Sequence, residues 1–288
     1  MRTRLLLATS LLLAGGAAAC GDDDDGTAAA TTAIALTGDE ADVVAAITAA
    51  IQAQHDGDAE AYVAHFTDDG IEALEGSTKD DVLADDGFGE DAPELVNVDA
   101  DVDGETAVAA TDVQFGRGQV RVTLDLVKQE GDWLIDGVEG FDAPPAPEGV
   151  PDVEVTAVEY AFQMDTADLA GGRFRISFHN GGEQSHEMAL FKVPTGTSAA
   201  DGMAALGAVH GDSYDNVPDG YEAIDHLTYA DPGDDGAYLL ADTLEPGDYV
   251  FVCFIPDGGF DPETFEPVNP DGAPHLTLGM YQPFTVTG

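Results

Sequence analysis

Four side chains far apart in this chain carry its most specific chemistry: His186, Cys253, His275 and Met280. Thiolate and thioether are soft donors suited to Cu(I), and imidazole serves Cu(I) and Cu(II) alike. A set that mixes them fits an ion cycling between the two states. Cys253, His275 and Met280 follow one another in a C-terminal stretch. His186, in Asn180-Gly-Gly-Glu-Gln-Ser-His186, is the candidate fourth ligand from an earlier strand. The expected cofactor is one type 1 copper ion, with two imidazoles and a thiolate in a plane and a long axial thioether. Tetrahedral zinc on Cys253 and two histidines would leave Met280 without a role. A trinuclear oxidase centre needs His-x-His pairs, and none occurs among the seven histidines. A binuclear centre bridged by two thiolates has only Cys253 to draw on.

A strand must deliver the thiol. Glu245-Pro246-Gly247-Asp248 reads as a turn feeding Tyr249–Phe254. There Tyr249, Phe251 and Cys253 share a face by period-2 alternation, and the thiol stands near the strand end among apolar neighbours. Gly279 permits a tight loop between His275 and Met280, ahead of a last strand over Phe284–Val286. Further alternation over Val153–Tyr160, Arg173–Phe178 and Met188–Val193 makes this half all β, as in a small Greek-key sandwich. Ser198–Val209 is weakly helical, and Pro218–Asp235 reads as an acidic loop.

The order His186, Cys253, His275-x4-Met280 resembles the plastocyanin/azurin-like cupredoxins, over roughly residues 151–288. The resemblance implies that the four ligands converge at one pole of the sandwich. It implies electron transfer or copper handling rather than catalysis, with a redox partner or copper donor of unknown identity. Two features depart from the family. Residues 254–274 separate Cys253 from His275, where members usually have a few, and they include an acidic Gly/Pro-rich insertion, 257–273. Glu187 follows His186 where members often carry Asn. The alternative is a metal-free cupredoxin-like binding or scaffolding lipoprotein.

The first half reads differently. Thr37-Gly-Asp-Glu40 has the form of a capping box, and Val43, Val44, Ile47 and Ile51 recur at helical spacing. Asp58–Phe66 reads as a second helix. Ser77/Thr78 with Asp80/Asp81 opens a third. Strands follow over Leu95–Val102, Thr106–Phe115 and Val120–Leu126, then a hairpin through Glu130-Gly131-Asp132 into Trp133–Val138. Three helices followed by a curved sheet resemble the SnoaL/nuclear transport factor 2-like cone. The fold class expected is an α+β cone, residues 37–140, a Pro-rich linker, 141–150, and an all-β sandwich, 151–288. Members of the cone superfamily include enzymes and binding modules, so fold does not give function. Tyr62, His65 and Asp68 are the candidate pocket residues, and a small-molecule enzyme built on them is a second alternative.

The N-terminus reads as a targeting segment. Met1-Arg-Thr-Arg4 is basic, Leu5–Ala14 apolar, and Ala17-Ala18-Ala19-Cys20 resembles a bacterial lipobox. A lipoprotein signal peptide, 1–19, and an acidic linker, 20–36, would leave the chain tethered outside the cytoplasm through lipid on Cys20, its only membrane attachment. Of two cysteines, Cys253 then has no disulfide partner, and metal ligation explains a lone thiol in an oxidising compartment. The 57 acids against 9 bases, net −48, repel phosphate backbones and exclude nucleic acid as a partner.

Overall fold

The computed structural model describes residues 38–85, 87–89, 92–208, 217–260, 267–269 and 271–287. The signal peptide, Cys20 and the acidic linker lie outside the described residues. The chain is mostly β-sheet with a few helices. In order it runs α1 (Asp39–His55), α2 (Ala59–Val63), α3 (Asp68–Glu75), α4 (Lys79–Leu83), β1 (Glu94–Asp103), β2 (Thr106–Phe115), β3 (Gly118–Gln129) and β4 (Asp132–Asp142). Then come β5 (Asp152–Val158), β6 (Ala161–Gln163), β7 (Arg175–Asn180), β8 (His186–Val193), α5 (Ala199–Gly207), β9 (Glu222–Ala230), β10 (Asp235–Leu240), β11 (Gly247–Val252), α6 (His275–Leu278) and β12 (Tyr281–Val286).

In the first half, β1 to β4 form an antiparallel meander, and Val43, Ile47, Tyr62, Phe66 and Ile71 pack on its inner face against Leu124, Leu126 and Ile135. Gly38, not Thr37, stands at the N-cap of α1 and makes no side-chain cap. Thr78 and Asp81 do form a capping box at α4. The sequence reading missed α3. Gly70 in its first turn reads as a breaker, yet contact with β4 requires it. A Cβ there would stand 2.1 Å from the Ile135 carbonyl oxygen.

In the second half, β5, β6, β7 and β10 face the sheet β12-β11-β8-β9 across a core holding Val155, Phe174, Phe178, Met188, Phe251, Cys253 and Met280. β5 pairs with β7 in parallel. The stretch read as an acidic loop instead contains β9 and the start of β10. Beyond the β8–β11 face, a smaller cluster of Ala189, Phe191, Leu206, Val250, Val252 and Leu276 closes under α5.

The two halves share one sheet, ordered β1-β2-β3-β10-β7-β5-β6, with β4 on β3. The joint is short: Leu239 opposes Gln119 and Leu240 opposes Gly118. Arg175 adds ties across residues 142–152, with Asp142 at 3.2 Å and Asp152 at 2.9 Å.

Candidate metal centre

The long gap between Cys253 and His275 closes at a neck. Pro256 and Pro274 form a bridge, the Asp257 N–H donates to the Ala273 carbonyl at 2.9 Å, and the His275 N–H donates to Ile255 at the same distance. The Leu276 N–H reaches the Cys253 carbonyl at 2.8 Å, and the Cys253 N–H the Met280 carbonyl at 3.3 Å. Residues 257–273 therefore leave and return at one place. The thiol and the imidazole meet across the neck as if a few residues separated them, because loop length itself costs little.

His186 enters from the first residue of β8, beside β11. Its Nδ1 lies 3.2 Å from His275 Nδ1, which lies 3.5 Å from Cys253 Sγ. Ligand atoms of the three residues all fall within 4.8 Å of one another. His186, Cys253, His275 and Met280 are each 0% exposed. A first-row cation bonded to imidazole at about 2.0 Å and thiolate at about 2.3 Å holds such donors roughly 3–4 Å apart. The spacing fits one ion. Met280 is packed in the same core as Cys253, and its N–H donates to the His275 carbonyl at 3.0 Å.

The histidine protons can be placed from their partners. Gln184 Oε1 accepts the Gly258 N–H, so its oxygen is the atom facing His275 Nε2 at 3.2 Å. That nitrogen must carry hydrogen, which frees Nδ1 as a lone pair toward the thiol. Gln184 Nε2 donates to Asp257 Oδ1 at 3.3 Å, and the Tyr160 hydroxyl donates to the same oxygen at 2.6 Å. His186 Nε2 is buried and has no hydrogen-bond partner. With His275 Nδ1 accepting, the His186 proton sits on Nδ1, and Nε2 is left as an orphaned lone pair. An ion bound at both Nδ1 atoms would move that proton to Nε2, on the side of Gly182 where Glu159 Oε1 also stands.

Burial sets the charges. It holds the His186 pKa down to about 4, helped by the neighbouring His275, and lowers that of His275 as well. Both imidazoles are neutral at neutral pH. Burial, reinforced by the Glu187 charge, pushes the Cys253 thiol well up, against the N–H groups of Glu187 and Ile255. A cation inverts that preference, since a coordinating thiol gives up its proton. Donor types, spacing and neutral imidazoles all fit copper.

Of the residues that brace this set, sequence reasoning missed Gln184 and His226 and noted Glu187 only as a departure. Gln184 has no motif. Glu187 puts its N–H 3.5 Å from Cys253 Sγ, accepts the Phe254 N–H on Oε1 at 2.8 Å, and meets His226 Nε2 with Oε2 at 2.9 Å. The candidate cone residues are engaged separately. Tyr62 packs in the core and donates to Glu75 at 2.5 Å. The His65 carbonyl accepts from the Ile135 N–H, and exposed Asp68 lies 3.4 Å from Lys79.

No family model and no curated protein matches the chain. Among solved structures it is similar to auracyanin B, at 23% identity over 51% of this chain and 94% of that one, TM-score 0.29. Auracyanin from the photosynthetic bacterium Roseiflexus castenholzii matches at 20% identity over 50% of this chain and 100% of that one, TM-score 0.29. An NTF2-like protein of unknown function from Shewanella baltica OS155 matches at 13% identity over 37% of this chain and 94% of that one, TM-score 0.28.

Proposed function

We propose that the second half is a cupredoxin-type domain holding one type 1 copper through His186, Cys253, His275 and Met280, for electron transfer or copper handling. The observation that carries this is the approach of one ring nitrogen from each imidazole and the thiol sulfur to within 4.8 Å of one another in a buried pocket. Copper supplies a one-electron couple. The chain's own residues hold the donors in a fixed arrangement that suits both oxidation states and keep water from the ion. Gln184 fixes the His275 tautomer, and Glu187 presents an N–H to the sulfur. The first half is a cone of the SnoaL type, and Cys20 carries the lipid that keeps the protein at the outer side of a membrane. Among the described residues no helix is long and apolar enough to cross a membrane.

Copper uptake tests the reading. Protein with Cys20→Ser, purified without metal and mixed with Cu(II), should turn intensely blue with one ion per chain, and Cys253→Ser should stay colourless. A parent protein that neither colours nor retains copper on desalting refutes it. Lipid on Cys20 is checked separately, by the mass of the processed N-terminal peptide.

A further inference from the structure

A chain of polar contacts runs from the joint between the halves to the segment that carries the thiol. At the joint, the turn between β2 and β3 presents the Arg117 N–H to Asp225 Oδ2 at 3.1 Å, and the Tyr238 hydroxyl donates to the same oxygen at 2.7 Å. The Ala241 N–H returns to the Arg117 carbonyl at 2.8 Å. Gly118 allows this approach, because a Cβ there would stand 2.3 Å from the Tyr238 ring. Asp225 is thus an acceptor shared by both halves.

Strand alternation carries the contact through the sheet. Asp225 opposes Leu190, whose side chain lies in the inner core, while His226 opposes Ala189, which packs in the cluster on the other face. Neighbouring residues of β9 therefore point to opposite faces. Register shifts at Met188/Ala189 and Leu190/Phe191 flank this pair, which itself keeps continuous register. On the far face, His226 holds Glu187, and Glu187 holds the Phe254 N–H just after Cys253 while its own N–H meets the sulfur.

We propose that Asp225, His226 and Glu187 are positioning residues, forming a clamp through which the first half of the chain holds the Cys253 segment in place for the metal. The metal part of this rests on the copper reading above; the clamp itself does not. Cys253 is already tied on one side to the ligand loop through Leu276 and Met280. The clamp supplies the second side, and it is the side that reaches the other half of the protein. Docking of the first half then governs how firmly the sulfur faces the two imidazoles.

The test uses the full chain with Cys20→Ser, in which Cys253 is the single thiol. In metal-free protein, Asp225→Ala at the joint and His226→Phe at the far face should each speed alkylation of Cys253 by iodoacetamide roughly tenfold, as expected when a charge-assisted bond is lost from a locally opening segment. Gly118→Val, wedged against Tyr238, should act in the same direction. His226→Gln, which can still donate to Glu187, should return the rate to that of the parent. His179→Phe, which removes a histidine paired with Asp235 elsewhere on the surface, should leave it unchanged. After Cu(II) addition, the variants that alkylate fast should also show a displaced thiolate-to-copper absorption band, which a merely looser fold would not move. Parent-like alkylation in both Asp225→Ala and His226→Phe overturns the clamp, and acceleration in His226→Phe alone removes the first half from it. A parent that takes up no copper refutes the proposed function, while the alkylation rates still decide the clamp.

Discussion

Acidifying the metal-free protein probes the imidazole pair directly. Burial holds the His186 pKa at about 4, with the His275 charge adding to the effect and Glu159 opposing it. In the unfolded chain the same imidazole titrates near 6.5. A base with a depressed folded pKa takes its proton preferentially in the unfolded state. Its contribution to stability is therefore complete above pH 6.5 and drains away as pH falls toward 4. The gap between the two pKa values corresponds to ~3 kcal/mol in the limit, of which about 2 kcal/mol is lost between pH 7 and pH 5. His226 works in the opposite sense. Burial opposes its charge, but the bond to Glu187 and the charges of Glu187 and Asp225 raise its pKa. What it adds is present below pH 6.5 and fades as pH rises through the raised value. Comparing the parent with His186→Gln cancels that contribution and those of the carboxylates. Urea unfolding at pH 7 and pH 5 should show the parent losing about 2 kcal/mol more than the variant. Because the observable is a difference between two pH values, a general loss of stability in the variant does not disturb it. Equal pH dependence in the two proteins would refute the placement of a neutral imidazole at this site.

Three further outcomes follow from the same geometry. Gln184→Leu leaves the His275 Nε2–H and the Gly258 N–H without their shared acceptor, which should cost roughly 1–3 kcal/mol by urea unfolding and weaken copper about 10–100-fold in a chelator competition. Replacing residues 259–272 with a short glycine turn keeps the neck and the Asp257 contacts, so copper stoichiometry and the blue band should persist; loss of both would make the insertion part of the site. Cu(II) uptake at pH 7 should release about one proton per ion, because only the Cys253 thiol must ionise while both imidazoles are already neutral. Titration in two buffers of different ionisation enthalpy counts that proton.

The candidate ligands were legible from sequence because their identity is chemical: donors of these types in this order have few other uses. What braces them was not, and the reasons are local. β9 alternates poorly, since two register shifts fall within it and polar His226 and Thr228 occupy positions where a period-2 strand would show apolar ones. With Pro218, Gly220 and Asp231-Pro232-Gly233 on either side, the stretch reads as a loop, and Asp225 and His226 then have no address. Gln184 becomes visible only when the Pro256–Pro274 neck sets Asp257 and Gly258 against the 180–186 turn, and Glu187, noted in the sequence only as a departure, shows its bracing role there too. Asn180 shapes that turn, donating to the Gln184 and Ala230 carbonyls and accepting the Gly182 N–H. α3 was hidden by Gly70, a helix breaker by propensity that tertiary contact with β4 demands. Alternation along β3 was plain, because Val120, Val122, Leu124 and Leu126 turn to the core while Arg121, Thr123 and Asp125 alternate with them.

Loop length and site geometry are separable here, and the separation has an electrostatic consequence. The backbone bonds of Cys253 and Ile255 to residues 275–280 fix the thiol against His275 before any residue of the insertion is placed. The insertion is then free to carry acids such as Asp257, whose carboxyl is held below its usual range by Tyr160 and Gln184 and so remains an anion beside the ligand loop. Inside, the same burial that keeps two imidazoles neutral also keeps the thiol protonated. The assembled pocket thus carries no charge of its own, and its surroundings are negative. A cation bound there would gain a thiolate and displace a single proton. Binding then depends on the fit of three donor atoms rather than on charge stored in the pocket, so the bonds that hold Cys253 in place bear directly on metal affinity.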